Sequence, residues 1–194
     1  RSKTYHVEGN WKLYFENYND SLHIPFVHQG TLARQKVAGR ARATHEETNG
    51  AYITHFTQHD GSRGLLEGVS GFPPIETLSG RYEHGTYYPC LYPTSLFGWT
   101  IDCLWIFEIR PTGPESMDLV ANSFFPKDRL DRPDFDALAA HYYECADTIL
   151  PEDNEAVLWQ QEGLRAPVNA AAKFTHMETL CHAFDNWILD QVLD

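Results

Sequence analysis

Apolar and polar positions divide the chain into a helical opening, an alternating middle and a helical close. Residues 10 to 22 are rich in aromatic side chains (Trp11, Tyr14, Phe15, Tyr18) and predict a helix that turns them inward. Residues 40 to 48 and 51 to 59 flank Asn49-Gly50, a pair that tolerates positive φ and signals a two-residue hairpin, so antiparallel sheet is expected. Residues 60 to 85, dense in Gly, Pro and Ser and including Gly71-Phe72-Pro73-Pro74, read as a long loop of the kind that borders a binding cavity. Three more strands are predicted near 86 to 92, 101 to 110 and 117 to 126, separated by turn formers such as Pro111-Thr112-Gly113-Pro114. In the last of them Leu119, Ala121, Ser123 and Phe125 share one face. The close reads as three helices, Pro133 to Ile149, Pro151 to Glu162 and Ala172 to Val192, with Phe174, Met177, Cys181, Phe184 and Ile188 as a core stripe in the third. The layout is α+β, an antiparallel sheet with flanking helices.

Composition narrows the class. At 194 residues and 22.2 kDa, with no linker or repeat, the chain is expected to form a single domain over 1–194. A formal charge of -12 argues against nucleic acid and fits a basic redox partner. No window approaches the roughly 20 apolar residues of a membrane span, and no signal peptide follows the N-terminus, so the expected location is cytoplasmic. Cys90, Cys103, Cys145 and Cys181 form no disulfide framework and read as small buried apolar side chains.

The candidate chemistry sits in two places. Asn17, Asp20, His23 and His28 fall in one short run, and Pro151-Glu152-Asp153-Asn154-Glu155 comes far downstream. Two imidazoles and a carboxylate on one face of a metal ion leave positions open for dioxygen and substrate, the pattern of non-haem ferrous oxygenases. On an ideal helix, His23 and His28 would lie about 140° apart and could not chelate together. Pro25 lies between them and is expected to end or kink the helix there, which could return His28 to the side of His23. Read alone, the pair is more simply an ordinary pair of histidines at a helix end. Proline followed by acids is likewise ordinary helix-start chemistry, and Glu152 competes with Asp153 as the carboxylate. Of the other histidines, only His55 and His59 draw notice, because their even separation on a strand puts both on one face, where one could line a pocket.

Asn10-Trp11-Lys12, Glu16-Asn17, Asp20, His23 and His28 resemble the signature that opens the catalytic domain of Rieske-type non-haem iron oxygenase large (alpha) subunits. The resemblance continues through Tyr88-Pro89 with Leu91, through Glu152-Asp153 followed by Gln161 and Gly163, and to Met177-Glu178, Phe184 and Trp187, covering essentially the whole chain. It implies a helix-grip (Bet v 1/START-like) fold and one Fe(II) held by His23, His28 and Asp153. Asn17 would sit close to the metal, and Asp20 would link a Rieske cluster's histidine to an iron-ligating histidine across a subunit boundary. The implied reaction uses O2 to cis-dihydroxylate, monohydroxylate or oxidatively demethylate an aromatic or other apolar substrate. Electrons would come from a ferredoxin or reductase through a Rieske [2Fe-2S] centre, in a homotrimer or other alpha-subunit oligomer. The cysteines here do not supply the two Cys and two His of such a centre. Because the chain begins Arg1-Ser2-Lys3 without Met, a Rieske domain is expected upstream and not on this chain. The rival implication of the same fold is a non-catalytic module that binds a hydrophobic ligand.

Overall fold

The structure is a computed structural model that describes residues 1–35, 50–167 and 173–193, together with the backbone of 44–46. Its strands are β1 (Ser2–Val7), β2 (Thr44–Glu46), β3 (Tyr52–Gln58), β4 (Gly85–Leu91), β5 (Ser95–Trp99), β6 (Leu104–Gly113) and β7 (Ser116–Phe124). Its helices are α1 (Trp11–Asn19), α2 (Ile24–Val27), α3 (Phe135–Arg165) and α4 (Thr179–Val192). All strand pairs are antiparallel, in the order β1-β7-β6-β5-β4-β3-β2. Helices α1, α3 and α4 gather around a core that includes Tyr14, Phe15, Val157 and Phe184, with Ile53, Leu96 and Leu119 from the sheet. The rings of Phe15 and Phe184 stack with centroids 4.0 Å apart. The predicted α+β, helix-grip arrangement is the one observed.

Several elements differ from the sequence reading. The opening helix ends at Asn19, well before Pro25. Asp20 stops it: this residue turns to extended backbone, and its carboxylate accepts from the Leu22 and His23 amides at 2.7 and 3.2 Å. Short polar side chains offer such local bonds as an alternative to the helical ladder. Pro25 then lies in the first turn of α2, where its missing N–H costs nothing. It starts a helix instead of ending one.

Pro151 behaves in the opposite way to its predicted role. It lies inside α3, a single 31-residue helix where two were expected. The apolar stripe of Tyr142, Cys145, Leu150 and Val157 runs through the proline at helical spacing and is buried throughout. That packing offsets the loss of one helical hydrogen bond.

Strands β1 and β5 were not predicted, and β6 runs through Pro111 to Gly113 with a register irregularity instead of turning there. Helix α4 begins at Thr179, so Phe174 and Met177 precede it and stay exposed at 43% and 50%, while Cys181 and Phe184 are buried. The expected Asn49-Gly50 turn falls partly outside the described residues. The strands it was to join do pair, with His45 opposite His55.

A candidate metal centre at the end of a cavity

Between the helices and the sheet lies a cavity of about 890 Å³. Trp105 and Phe107 of β6 face it beside their cross-strand partners Ser123 and Ala121 of β7. The Trp105 indole donates to the Tyr18 hydroxyl at 2.9 Å, which in turn donates to the Phe97 carbonyl at 3.0 Å, so α1 is pinned to the sheet over the cavity.

One end of this cavity holds His23, His28 and Asp153, whose ligand-type atoms lie within 4.8 Å of one another. The break at Asp20 and the short α2 turn both rings toward α3, with centroids 5.2 Å apart. Both Nε2 atoms face the same oxygen: His28 Nε2 is 2.9 Å and His23 Nε2 is 3.5 Å from Asp153 Oδ1. Asn17 donates its side-chain amide to that oxygen at 2.8 Å.

The outward ring nitrogens meet carboxylates of their own. His23 Nδ1 lies 3.2 Å from Asp20 Oδ2, and His28 Nδ1 lies 2.7 Å from Glu152 Oε2, which also accepts from the Thr31 hydroxyl at 2.6 Å. A carboxylate on Nδ1–H fixes the tautomer and leaves the Nε2 lone pair free to face a cation. Glu152, the competing ligand in the sequence reading, thus grips the back of His28, and Asp153 occupies the inner position. Successive residues point about 100° apart on a helix, which is how neighbours on α3 reach opposite sides of one imidazole.

Electrostatics couple the groups. Burial works against the charged ring of His23, but hydrogen bonds to Asp153 and Asp20 hold its pKa up at about 9. His28 is raised in the same way by Asp153 and Glu152, against burial. Burial favours the neutral Asp153 carboxyl, yet the two histidines keep it below the ordinary carboxylate range. Asp20 is also lowered: burial opposes its charge, and the bond to His23 with two backbone amides outweighs that. The donor set of two imidazoles and one carboxylate, with each imidazole backed by a carboxylate, fits a ferrous ion. The four cysteines are all buried thiols, and among the described residues they do not fit a Rieske cluster.

Gln161, which the sequence reading placed eight residues past Asp153, is not at the centre. Its Oε1 accepts from the Asn10 amide at 2.8 Å and fastens the start of α1 to α3, and with it Asn17 to Asp153. His55 lines the cavity, its ring stacked on Tyr88 at 4.5 Å directly across the β3–β4 pair. His59 is packed away against the Thr86 hydroxyl at 2.7 Å, and burial with the nearby Arg63 charge pushes it down to about 4. The sequence reading missed Tyr88, Trp105 and Arg63 as cavity residues. For the first two, strand alternation was an available signal; for Arg63, inside an irregular loop, there was none.

The fold has counterparts among solved structures. The chain resembles, in solved structures, the quaternary ammonium Rieske monooxygenase CntA in complex with an inhibitor (TM-score 0.72, 14% identity, 98% of this chain and 49% of that one). It also resembles dicamba monooxygenase bound to dicamba (TM-score 0.65, 12% identity, 100% and 59%). A third likeness is naphthalene 1,2-dioxygenase from Rhodococcus sp. bound to indole (TM-score 0.63, 13% identity, 97% and 55%). The chain therefore spans about half the length of these proteins. No curated protein matches it by sequence. The family model described as the ring hydroxylating alpha subunit (catalytic domain) matches residues 1–194, and the chain belongs to that family of oxygenases.

Proposed function

We propose that His23, His28 and Asp153 hold one ferrous ion, and that the cavity beside them takes an apolar or aromatic substrate for hydroxylation or oxidative demethylation with O2. The observation that carries this is the convergence of two Nε2 atoms and one carboxylate oxygen, each imidazole anchored from behind by a carboxylate. When bound, ferrous iron supplies the one-electron chemistry that dioxygen activation requires.

The chain's own residues do the rest. Asp20 and Glu152 fix the tautomer and direction of the two rings. Asn17 holds Asp153 in place with a bond to the oxygen that faces both histidines. Trp105 and Phe107 offer an apolar wall against which a ring can lie. Asp20, whose side chain keeps 23% exposure between α1 and α2, is the residue we assign to meet a Rieske histidine from a neighbouring subunit. In this reading the [2Fe-2S] cluster belongs to a domain outside 1–194, and a ferredoxin or reductase feeds it.

Anaerobic reconstitution with Fe(II) followed by metal analysis tests the proposal. The chain is expected to bind about one iron, as a single such donor set implies. The His23→Ala/His28→Ala double variant is expected to bind none. Stoichiometric iron in the double variant would overturn the assignment.

A further inference from the structure

The far end of the cavity has a different chemistry. The loop carrying Arg63 closes on α3 there: a Cβ on Gly64 would stand 2.8 Å from Cys103 Sγ and 3.0 Å from the Tyr142 ring. Tyr142 and Asp153 both line the cavity and lie eleven residues apart on α3, about 16 Å along the axis at ~1.5 Å per residue. One end thus carries Asp20 and Asp153 with the two imidazoles; the other carries the Arg63 guanidinium in its lining, with the Asp102 carboxylate outside the lining and satisfied by the Tyr142 and Ser62 hydroxyls. Trp105, Phe107 and Leu150 line the space between.

Arg63 is held, yet incompletely matched. Its Nη1 donates to Gln35 Oε1 at 2.6 Å, and the Gln35 amide is tied to the Leu65 carbonyl at 2.5 Å. Among the described residues no carboxylate pairs with Arg63, although a guanidinium presents five N–H donors in a fork suited to one. A cation on the wall of a largely apolar cavity, aimed by a fixed amide, is a receptor for an anion.

We propose that Arg63 anchors the carboxylate of an aromatic carboxylate substrate, with its ring lying along Trp105 and Phe107 toward His23, His28 and Asp153. This rests on reading the cavity as the oxygenase's substrate site. Arg63 then sets the orientation: at the metal end Asp20, Asp153 and Glu152 match the charge of a bound ferrous ion, and the guanidinium is the cation left to draw the carboxylate. The apolar wall selects the ring, and Arg63 selects among rings by what they carry.

Calorimetric titration with 2-naphthoate and its neutral counterpart 2-naphthamide tests this. The iron-loaded chain is expected to bind 2-naphthoate at least about tenfold more tightly, the scale of a hydrogen bond to a charged group. Arg63→Gln is expected to bring the two ligands to within about threefold, Arg63→Lys to keep part of the preference, and both to retain wild-type iron. The metal-free chain is expected to keep the preference too. Equal binding by the wild type, an undiminished preference in Arg63→Gln, or a preference that vanishes with the iron would each overturn the proposal, the last by showing that the carboxylate binds the metal. Should Arg63→Gln fail to fold by circular dichroism, an unchanged preference in Arg63→Lys would overturn it instead. A chain that prefers 2-naphthoate through Arg63 but binds no iron would refute the metal assignment and leave this one standing.

Discussion

The two candidate ligand imidazoles are held in contrasting ways. His23 takes its outer carboxylate from Asp20, three residues earlier, in a turn that also stops α1. His28 takes its own from Glu152, 124 positions away on α3, with Thr31 completing the grip. The local contact is the longer, 3.2 Å against 2.7 Å, and it is shared with two backbone amides. The ring of His28 is wholly buried, whereas that of His23 keeps 16% exposure. A ligand held by a local turn needs only its own segment for that support and keeps some exposure. One held across the fold exists only once α2 and α3 have met.

Asp153 belongs to both halves, so its loss breaks the comparison altogether. Asp153→Ala is expected to lose stoichiometric iron while the far-ultraviolet circular dichroism of the chain is preserved. Full iron in this variant would place the carboxylate elsewhere. Next in size is Glu152→Gln, expected to weaken iron about 10–100-fold, the usual cost of losing an outer carboxylate. Metal analysis against a competing chelator reads it, and an unchanged affinity would reduce Glu152 to a spectator. This expectation replaces a helix-capping role, since Glu152 lies deep within α3 and not in its first turn.

Asp20→Asn should affect iron less than Glu152→Gln, because the asparagine oxygen can still accept from one of the two amides that form the local turn. In an intact enzyme with its Rieske domain, the same variant should nonetheless lose most turnover, if Asp20 is the bridge between centres. A fall in iron affinity larger than that of Glu152→Gln would reverse the ranking of the two halves.

The smallest and most graded test is pH. His23, raised from an ordinary value of 6.5 to about 9, binds more protons in the folded than in the unfolded metal-free chain across that window. Its contribution to stability is therefore complete below 6.5 and is lost as pH rises through about 9. Iron must displace that proton, so Fe(II) affinity should rise with pH over the same range. Thermal melts and iron titrations at successive pH values check both slopes. A flat iron profile would remove His23 from the ligand set.

The helical opening, most of the antiparallel strands, the cavity-bordering loop near 60–85 and the list of residues worth watching were legible without coordinates. Each rests on short-range chemistry: aromatic spacing, turn formers, and a run of Asn, Asp and His too unusual to overlook. Strand β1 was not legible, because Ser2–Val7 gains its stability by pairing with β7 more than a hundred residues away. The short β5 was hidden between Pro93 and the polar turn that follows Trp99.

Residue types and spacings by themselves determined that two histidines and an acid were available, and that an α+β frame with an antiparallel sheet would carry them. They could not determine which of two adjacent acids faces inward or how a five-residue separation becomes a pair of converging rings. The two prolines make the reason plain. Pro25 and Pro151 obey one local rule, a missing N–H and a fixed φ, yet one opens a four-residue helix and the other rides inside a 31-residue one. Burial of the α3 stripe against the core outweighs the local cost at Pro151, and only that uninterrupted helix brings Asp153 inward, Glu152 behind His28 and Tyr142 against the loop at Gly64. Those placements are set by packing between distant segments, a quantity no local window of the chain contains.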